Sequence, residues 1–170
     1  ITSVDESFHA RYSATARSYR YVILSRRVRP AIHRNRACWT HHELDVEQMD
    51  KAAQCLIGEH DFSSFRAAGC QSNTPMRNVH QIKVSSQGNG WVFIDISANA
   101  FLHHMVRNIA GTLISVGQGK QPVSWVADVL NRKDRCEGGV TAPACGLYFV
   151  SVEYPEKFNL PPFDNAPLFN

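Results

Sequence analysis

Apolar and polar positions alternate through SYRYVILS, residues 18–25, and its β-branched and aromatic content predicts a strand. The period changes in LDVEQMDKAAQCLIGEH. There Asp45 is placed as an N-cap, Gln48 supplies half of a capping box and Gly58 a stop, so a helix is expected over about 46–57. RNVHQIKVSSQGNGWVFIDISA reads as a hairpin, with strands near 77–86 and 91–98 joined by Gly-Asn-Gly at 88–90. In its second strand Val92, Ile94 and Ile96 share one face, leaving Trp91, Phe93 and Asp95 on the other.

Helical spacing returns over about 100–116 and is ended by Gly117 and Gly119. PVSWVADVLNRKD, with Ser124 as cap, predicts another helix, and GLYFVSVEY (146–154) a last strand. Beyond Pro155 the chain is rich in Pro and Asn and is expected to wrap the surface. Strand, helix, hairpin, two helices and strand imply an α+β fold: a mostly antiparallel sheet with helices packed on one face.

Length and composition narrow the class. A chain of 170 residues, 44% hydrophobic and 19% charged, has the make-up of one globular domain. No apolar run approaches the roughly 18–20 residues of a membrane span, and no signal-peptide pattern opens the sequence. The five cysteines are odd in number and include no Cys-x-x-Cys pair, which disfavours a disulfide framework or zinc knuckle and suits a cytoplasmic protein. The first residue is Ile1, and ITSVDESFHA reads as the end of a linker, so a longer parent protein is expected.

Charge is modest in sum, +3, but uneven: from Phe8 to His42 there are eight arginines, no lysine and no acid. A solvated face is the ordinary reading of a charge run. Here the run is interleaved with Tyr12, Tyr19 and Tyr21, and forked guanidinium donors beside stacking rings fit a nucleic-acid surface equally well.

The 100–116 segment carries the most informative chemistry. On a helical wheel Phe101, Leu102, Met105, Val106, Ile109, Leu113 and Val116 fill one arc of about 140°. His103, His104, Arg107, Asn108, Gly111 and Ser115 fall opposite, with Ile114 straying among them. This polar line is either the wet side of a surface helix or part of a site. A solvated face normally carries several Lys and Glu, whereas this one has a single permanent charge. Gly111 costs about 1 kcal/mol of helix stability and implies close approach of a backbone or ligand. A metal site is disfavoured because the histidines are adjacent rather than four apart and no acid lies between Asp95 and Asp128. An arginine in such a setting suits a carboxylate or phosphate.

Five stretches, FHARYSATARSYRY (8–21), GEHDFSSFR (58–66), TPMRNV (74–79), NAFLHHMVRNIAG (99–111) and GLYFVSVEYP (146–155), together resemble the tRNA pseudouridine synthase A family, in its order and spacing. The resemblance implies isomerisation of uridine to pseudouridine in the anticodon stem-loop of tRNA, by a homodimer that uses no cofactor and no metal. In that family the acting aspartate lies in a Gly-Arg-Thr-Asp-Ala-Gly motif of the N-terminal domain. No such string occurs here, so residues 1–170 are expected to be the C-terminal domain, inactive alone.

By the same resemblance, Arg107 pairs with that aspartate, Tyr19 packs against the target uracil and Leu147 lines the uracil pocket. Arg11, Arg17, Arg20, Arg66 and Arg77 are candidate phosphate contacts, and His103 and His104 are expected to orient the site or touch the RNA backbone. Asp61 reads as a helix-start cap and Asp95 as a mid-strand residue, so neither replaces the missing carboxylate. The competing reading is a freestanding, non-catalytic RNA-binding domain.

Overall fold

The computed structural model describes residues 3–161 and 167. Strand β1 (Ala16–Ser25) contains the predicted 18–25 run and organises the sheet. One of its edges pairs antiparallel with β5 (Trp91–Ala98) over Arg17–Leu24. Its other edge is shared: Ala16–Tyr21 meet β6 (Leu147–Glu153) antiparallel, and Ile23–Ser25 meet β2 (Cys38–Thr40) in parallel. Beyond β5 lie β4 (Met76–Gly88) and β3 (Gly58–Asp61), both in antiparallel pairings. The sheet is therefore six-stranded and antiparallel apart from the β1–β2 contact, in the α+β arrangement expected. The Gly-Asn-Gly turn between β4 and β5 uses positive φ at all three residues, which explains its composition.

Period-two alternation sorts the two faces. Tyr21, Ile23, Val92, Ile94 and Ile96 join the main core beneath the helices. Val22, Leu24, Trp91 and Phe93 form a second buried cluster with Ala37 on the reverse face.

Helix α1 (Val46–Ala53) starts where predicted, with Asp45 accepting from Gln48 N at 2.9 Å, and tightens into a 3₁₀ turn over Gln54–Leu56. Helix α3 (Trp125–Arg132) lies inside its predicted segment, but Ser124 makes no side-chain cap bond. Asp61 accepts from both Ser63 N (3.0 Å) and Ser63 Oγ (2.7 Å), holding the start of a short 3₁₀ turn.

Two expectations need correcting. Helix α2 spans Met105–Gly117, so the segment from 100 to 104 is not helical. His104 adopts a left-handed conformation, φ 60°, and its carbonyl receives the first helical bond, from Asn108 N. His103 and His104 thus precede the helix and do not share a stripe with Arg107. Nor is the polar side of α2 wet: Asn108, Gly111 and Thr112 are buried.

What covers them is the segment 139–142. Gly139 N donates to Thr112 Oγ1 (3.1 Å), Thr141 Oγ1 to Asn108 Oδ1 (2.7 Å), and Ala142 N to Arg107 O (3.1 Å). A Cβ on Gly111 would overlap the carbonyl of Val140, so the close approach this glycine implied is made by backbone. The surface-wrapping tail lies largely outside the described residues. Its described start, Glu156–Phe158, buries Phe158 edge-on against Phe8 at 5.1 Å between ring centres.

Candidate active cleft

Where β1, β6 and the N-terminus of α2 converge, a cleft of about 940 Å³ opens. Its walls include Tyr19 from β1, Leu147 from β6, Arg107 from the first turn of α2, and His103 and His104 from the turn before it. Arg11, Arg17 and Arg77 join them, and among the described residues no aspartate or glutamate lines it.

Arg107 is in the first turn of α2, where the helix dipole already presents partial positive charge. A cation is ill placed there unless an anion joins both. Its guanidinium is oriented from one end, Nε donating to Ala142 O at 2.7 Å. Among the described residues neither terminal nitrogen has a hydrogen-bond or ion-pair partner. Half-buried and fixed in direction, this fork is shaped for a carboxylate or phosphate from outside the described chain.

Tyr19 is half-buried on the cleft floor. Phe101 packs edge-on to its ring at 5.1 Å and Phe149 at 5.3 Å, so the ring is braced on two sides. Burial pushes its phenol above the ordinary value, with Arg17 pulling weakly the other way, so at neutral pH it is an uncharged platform. Leu147, directly opposite Tyr21 in the β1–β6 register, adds an apolar wall and also packs on the core.

The histidine rings lie 3.9 Å apart. Burial, then the charges of His103 and Arg107, hold His104 below the usual imidazole value. Its left-handed backbone is a sparsely populated state for a residue with a side chain and sits at the mouth of the cleft.

The candidate phosphate contacts separate. Arg11 is exposed at the cleft edge. Arg17 also lines it, but its head ties loops together, donating to Ala14 O (3.0 Å), Asn99 O (2.7 Å) and Arg11 O. Arg77 is buried and donates to Thr74 O, Met76 O and Ser72 Oγ; its Nε has no partner, and burial lowers its pKa. Arg66 lies outside the cleft lining and holds the following loop through Cys70 O (2.6 Å) and Ser72 O (2.7 Å).

Arg20 is the clearest departure. Strand alternation puts it on the reverse face from Tyr19, where it forms a two-point pair with Asp95 (2.7 and 3.0 Å) over the Phe93 ring. It is therefore not part of the cleft. Asp95, read as a mid-strand residue on the Trp91 and Phe93 face, is the partner that holds it.

Sequence reasoning missed Cys70, which joins the cleft wall. Its thiol pKa is lowered, first by the His103 N–H and then by that of Ser72, with smaller help from Arg66. It also missed Ala142, whose carbonyl steers Arg107 from a loop that shows no periodic signal.

The described cleft thus combines a braced tyrosine ring, an arginine whose terminal nitrogens are unpaired among the described residues, and a basic rim on which no described carboxylate lies. Residues 52–155 match the family model described as tRNA pseudouridine synthase. Over 164 residues the chain is 57% identical to the tRNA pseudouridine synthase A of Legionella pneumophila (strain Corby), covering 96% of this chain and 62% of that one. For the protein of the same name from Hydrogenovibrio crunogenus the identity is 58% over 161 residues, 95% of this chain and 61% of the relative. For that from Shewanella amazonensis it is 56% over 166 residues, 98% and 63%. The chain belongs to the tRNA pseudouridine synthase family and spans a little over three-fifths of the length of these curated relatives. Among its described residues no helix is long and apolar enough to cross a membrane.

Proposed function

We propose that this chain is the C-terminal, tRNA-binding half of a tRNA uridine-to-pseudouridine isomerase, and that the acting aspartate comes from outside residues 1–170. The observation that carries the proposal is Arg107. Its Nε is anchored and, among the described residues, its two terminal nitrogens are unpaired and the cleft it borders has no carboxylate. A carboxylate docking there is held ionised by the guanidinium, ready to act on the nucleotide.

The reaction replaces the glycosidic bond to N1 of uracil by one to C5. The base is detached, turned while trapped and rejoined; C5 loses a proton and N1 gains one, so nothing is added overall. A base in a duplex is out of reach, so the target nucleotide is flipped into the cleft. Tyr19 then holds either orientation of the ring, because stacking is indifferent to rotation in the base plane, and Leu147 keeps water from one side. Arg11 and the histidines at the mouth meet the backbone of the anticodon stem-loop.

The family resemblance supports a homodimer without metal or cofactor. Five unpaired cysteines fit the reducing cytoplasm.

The test is release of tritium from tRNA carrying 5-³H-uridine. The intact parent protein should release it to solvent and the isolated 1–170 chain should release none. No release by the intact protein, or release by the isolated chain, overturns the assignment.

A further inference from the structure

The arginine run does not form one surface. Arg11 and Arg17 belong to the cleft and Arg20 to its ion pair on the reverse face. The remaining five, Arg26, Arg27, Arg29, Arg34 and Arg36, lie past the end of β1 in the loop that leads to β2. From Tyr19 to Ser25 is six residues, about 20 Å along a strand, so this group is a separate site at the opposite end of the sheet from the cleft floor.

The loop backbone is pinned down while its charges are not. Trp39 Nε1 donates to Arg26 O at 2.9 Å, Tyr148 Oη to Arg36 O at 2.7 Å, and the His33 ring packs edge-on to Trp91 at 5.1 Å. All five arginines are exposed. Arg26 uses only Nε, toward Asn89 O, and Arg29 lies over the Trp39 ring at 5.6 Å. The guanidinium groups of Arg27, Arg34 and Arg36 make no hydrogen bond or ion pair among the described residues. Several exposed cations elsewhere do find acids: Lys51 meets Glu47, Lys83 meets Asp50 and Arg132 meets Glu137. Glu43 shares a neighbouring groove with Arg26 and Arg27, yet pairs with neither.

Five like charges on an anchored loop cost self-repulsion, and no ion pair among the described residues offsets it. We propose that this loop is a second phosphate-binding surface, gripping the RNA backbone away from the flipped base. This rests on the proposal that tRNA is the substrate. Forked donors match phosphate oxygens, and a substrate much longer than the cleft continues beyond it. A second copy of the chain fits less well, because an isologous dimer through this patch confronts the arginines with themselves.

The test is made in the intact protein with an unmodified tRNA transcript as probe. Arg27→Gln, Arg34→Gln and Arg36→Gln are combined, and the binding constant is followed against salt. Each phosphate that is no longer neutralised takes about 0.7–0.9 off the slope of log K against log salt, so the triple variant should flatten it by about two to three. Arg132→Gln, at an exposed arginine already paired with Glu137, should leave the slope unchanged. An unchanged slope in the triple variant overturns the proposal, as does absence of tRNA binding by the unmutated protein. Dissociation of a dimer with the slope kept reassigns the patch to a subunit contact. Tritium release is read in parallel: a flattened slope without turnover in the unmutated protein sinks the isomerase reading and spares the surface, and turnover with an unaltered slope does the reverse.

Discussion

Arg107 and Ala142 are bonded to each other twice. Ala142 N donates to Arg107 O, and Arg107 Nε donates back to Ala142 O. The first bond fixes the backbone of the 139–142 segment to the start of α2, and the second uses that fixed carbonyl to aim the guanidinium. Preorganising a charged group this way removes the entropy of ordering a long side chain when its partner arrives.

The 139–142 segment reaches α2 only because residue 111 has no side chain. Gly111→Ala places a methyl group on the carbonyl of Val140, where backbone rather than a flexible side chain must yield. We expect a loss of about 2–3 kcal/mol, read as a lowered midpoint in urea, despite the better helix propensity of alanine. An unchanged or raised midpoint would show that the segment docks without that close fit.

Asn108 is 1% exposed and satisfies three groups at once. Its Nδ2 donates to Phe65 O (2.8 Å), and its Oδ1 accepts from Thr141 Oγ1 (2.7 Å) and Arg135 Nη2 (3.1 Å). Asn108→Leu leaves the buried Phe65 carbonyl without its donor and takes the acceptor from Thr141 Oγ1 and Arg135 Nη2, which keep only the bond between themselves (3.0 Å). The expected cost is about 3 kcal/mol by denaturant titration, well above that of an average substitution.

Asp50 ties α1 to β4. Burial acts to raise its pKa, but the Lys83 ammonium and the Val84 N–H outweigh that and hold the carboxyl below its ordinary value. A depressed folded-state value means the stabilisation is present above the unfolded value of about 4 and is lost as pH falls through the folded one. Asp50→Asn keeps an oxygen for the Val84 N–H but loses the charge that strengthens this bond and pairs with the exposed, solvent-screened Lys83, so it should cost about 0.5–1 kcal/mol at pH 7. The gap from the unmutated protein should close below about pH 4. A gap independent of pH would assign the effect to shape rather than charge.

The proposed role of Tyr19 rests on its ring rather than its hydroxyl. In the intact protein Tyr19→Phe should keep tritium release within a few-fold, while Tyr19→Ala should lower kcat/KM by the worth of one stacking contact, about 1–3 kcal/mol. Equal damage from both would make the hydroxyl the working group.

The sheet was legible because alternation is a local signal. Burial alternates along much of β4 and the second half of β5, the apolar run Tyr21–Leu24 of β1 is buried on both faces, and Gly-Asn-Gly marks the turn. Strands β2 and β3 were not, having three and four residues whose pairing is set by their neighbours. The start of α2 was misjudged because Phe101 and Leu102 continue the helical spacing while Asn99 fixes a turn instead. Its Oδ1 accepts from Ala100 N and from Asn78 N on β4. The departure at Arg20 has a similar origin: its partner Asp95 is directly opposite across strands, visible only once register is known. Arg107 stood out as a lone charge among apolar neighbours, but the carbonyl that aims it is 35 positions away, in a segment without periodicity.

The most direct measurement compares turnover and tRNA affinity for Arg107→Ala and Arg107→Lys in the intact protein. If that guanidinium waits for a carboxylate, both variants lose tritium release by about two to three orders of magnitude, lysine because it lacks the fork, while tRNA affinity and its salt slope stay close to those of the unmutated protein. Affinity falling in step with turnover, with the slope reduced by about one, would show that Arg107 grips a phosphate instead.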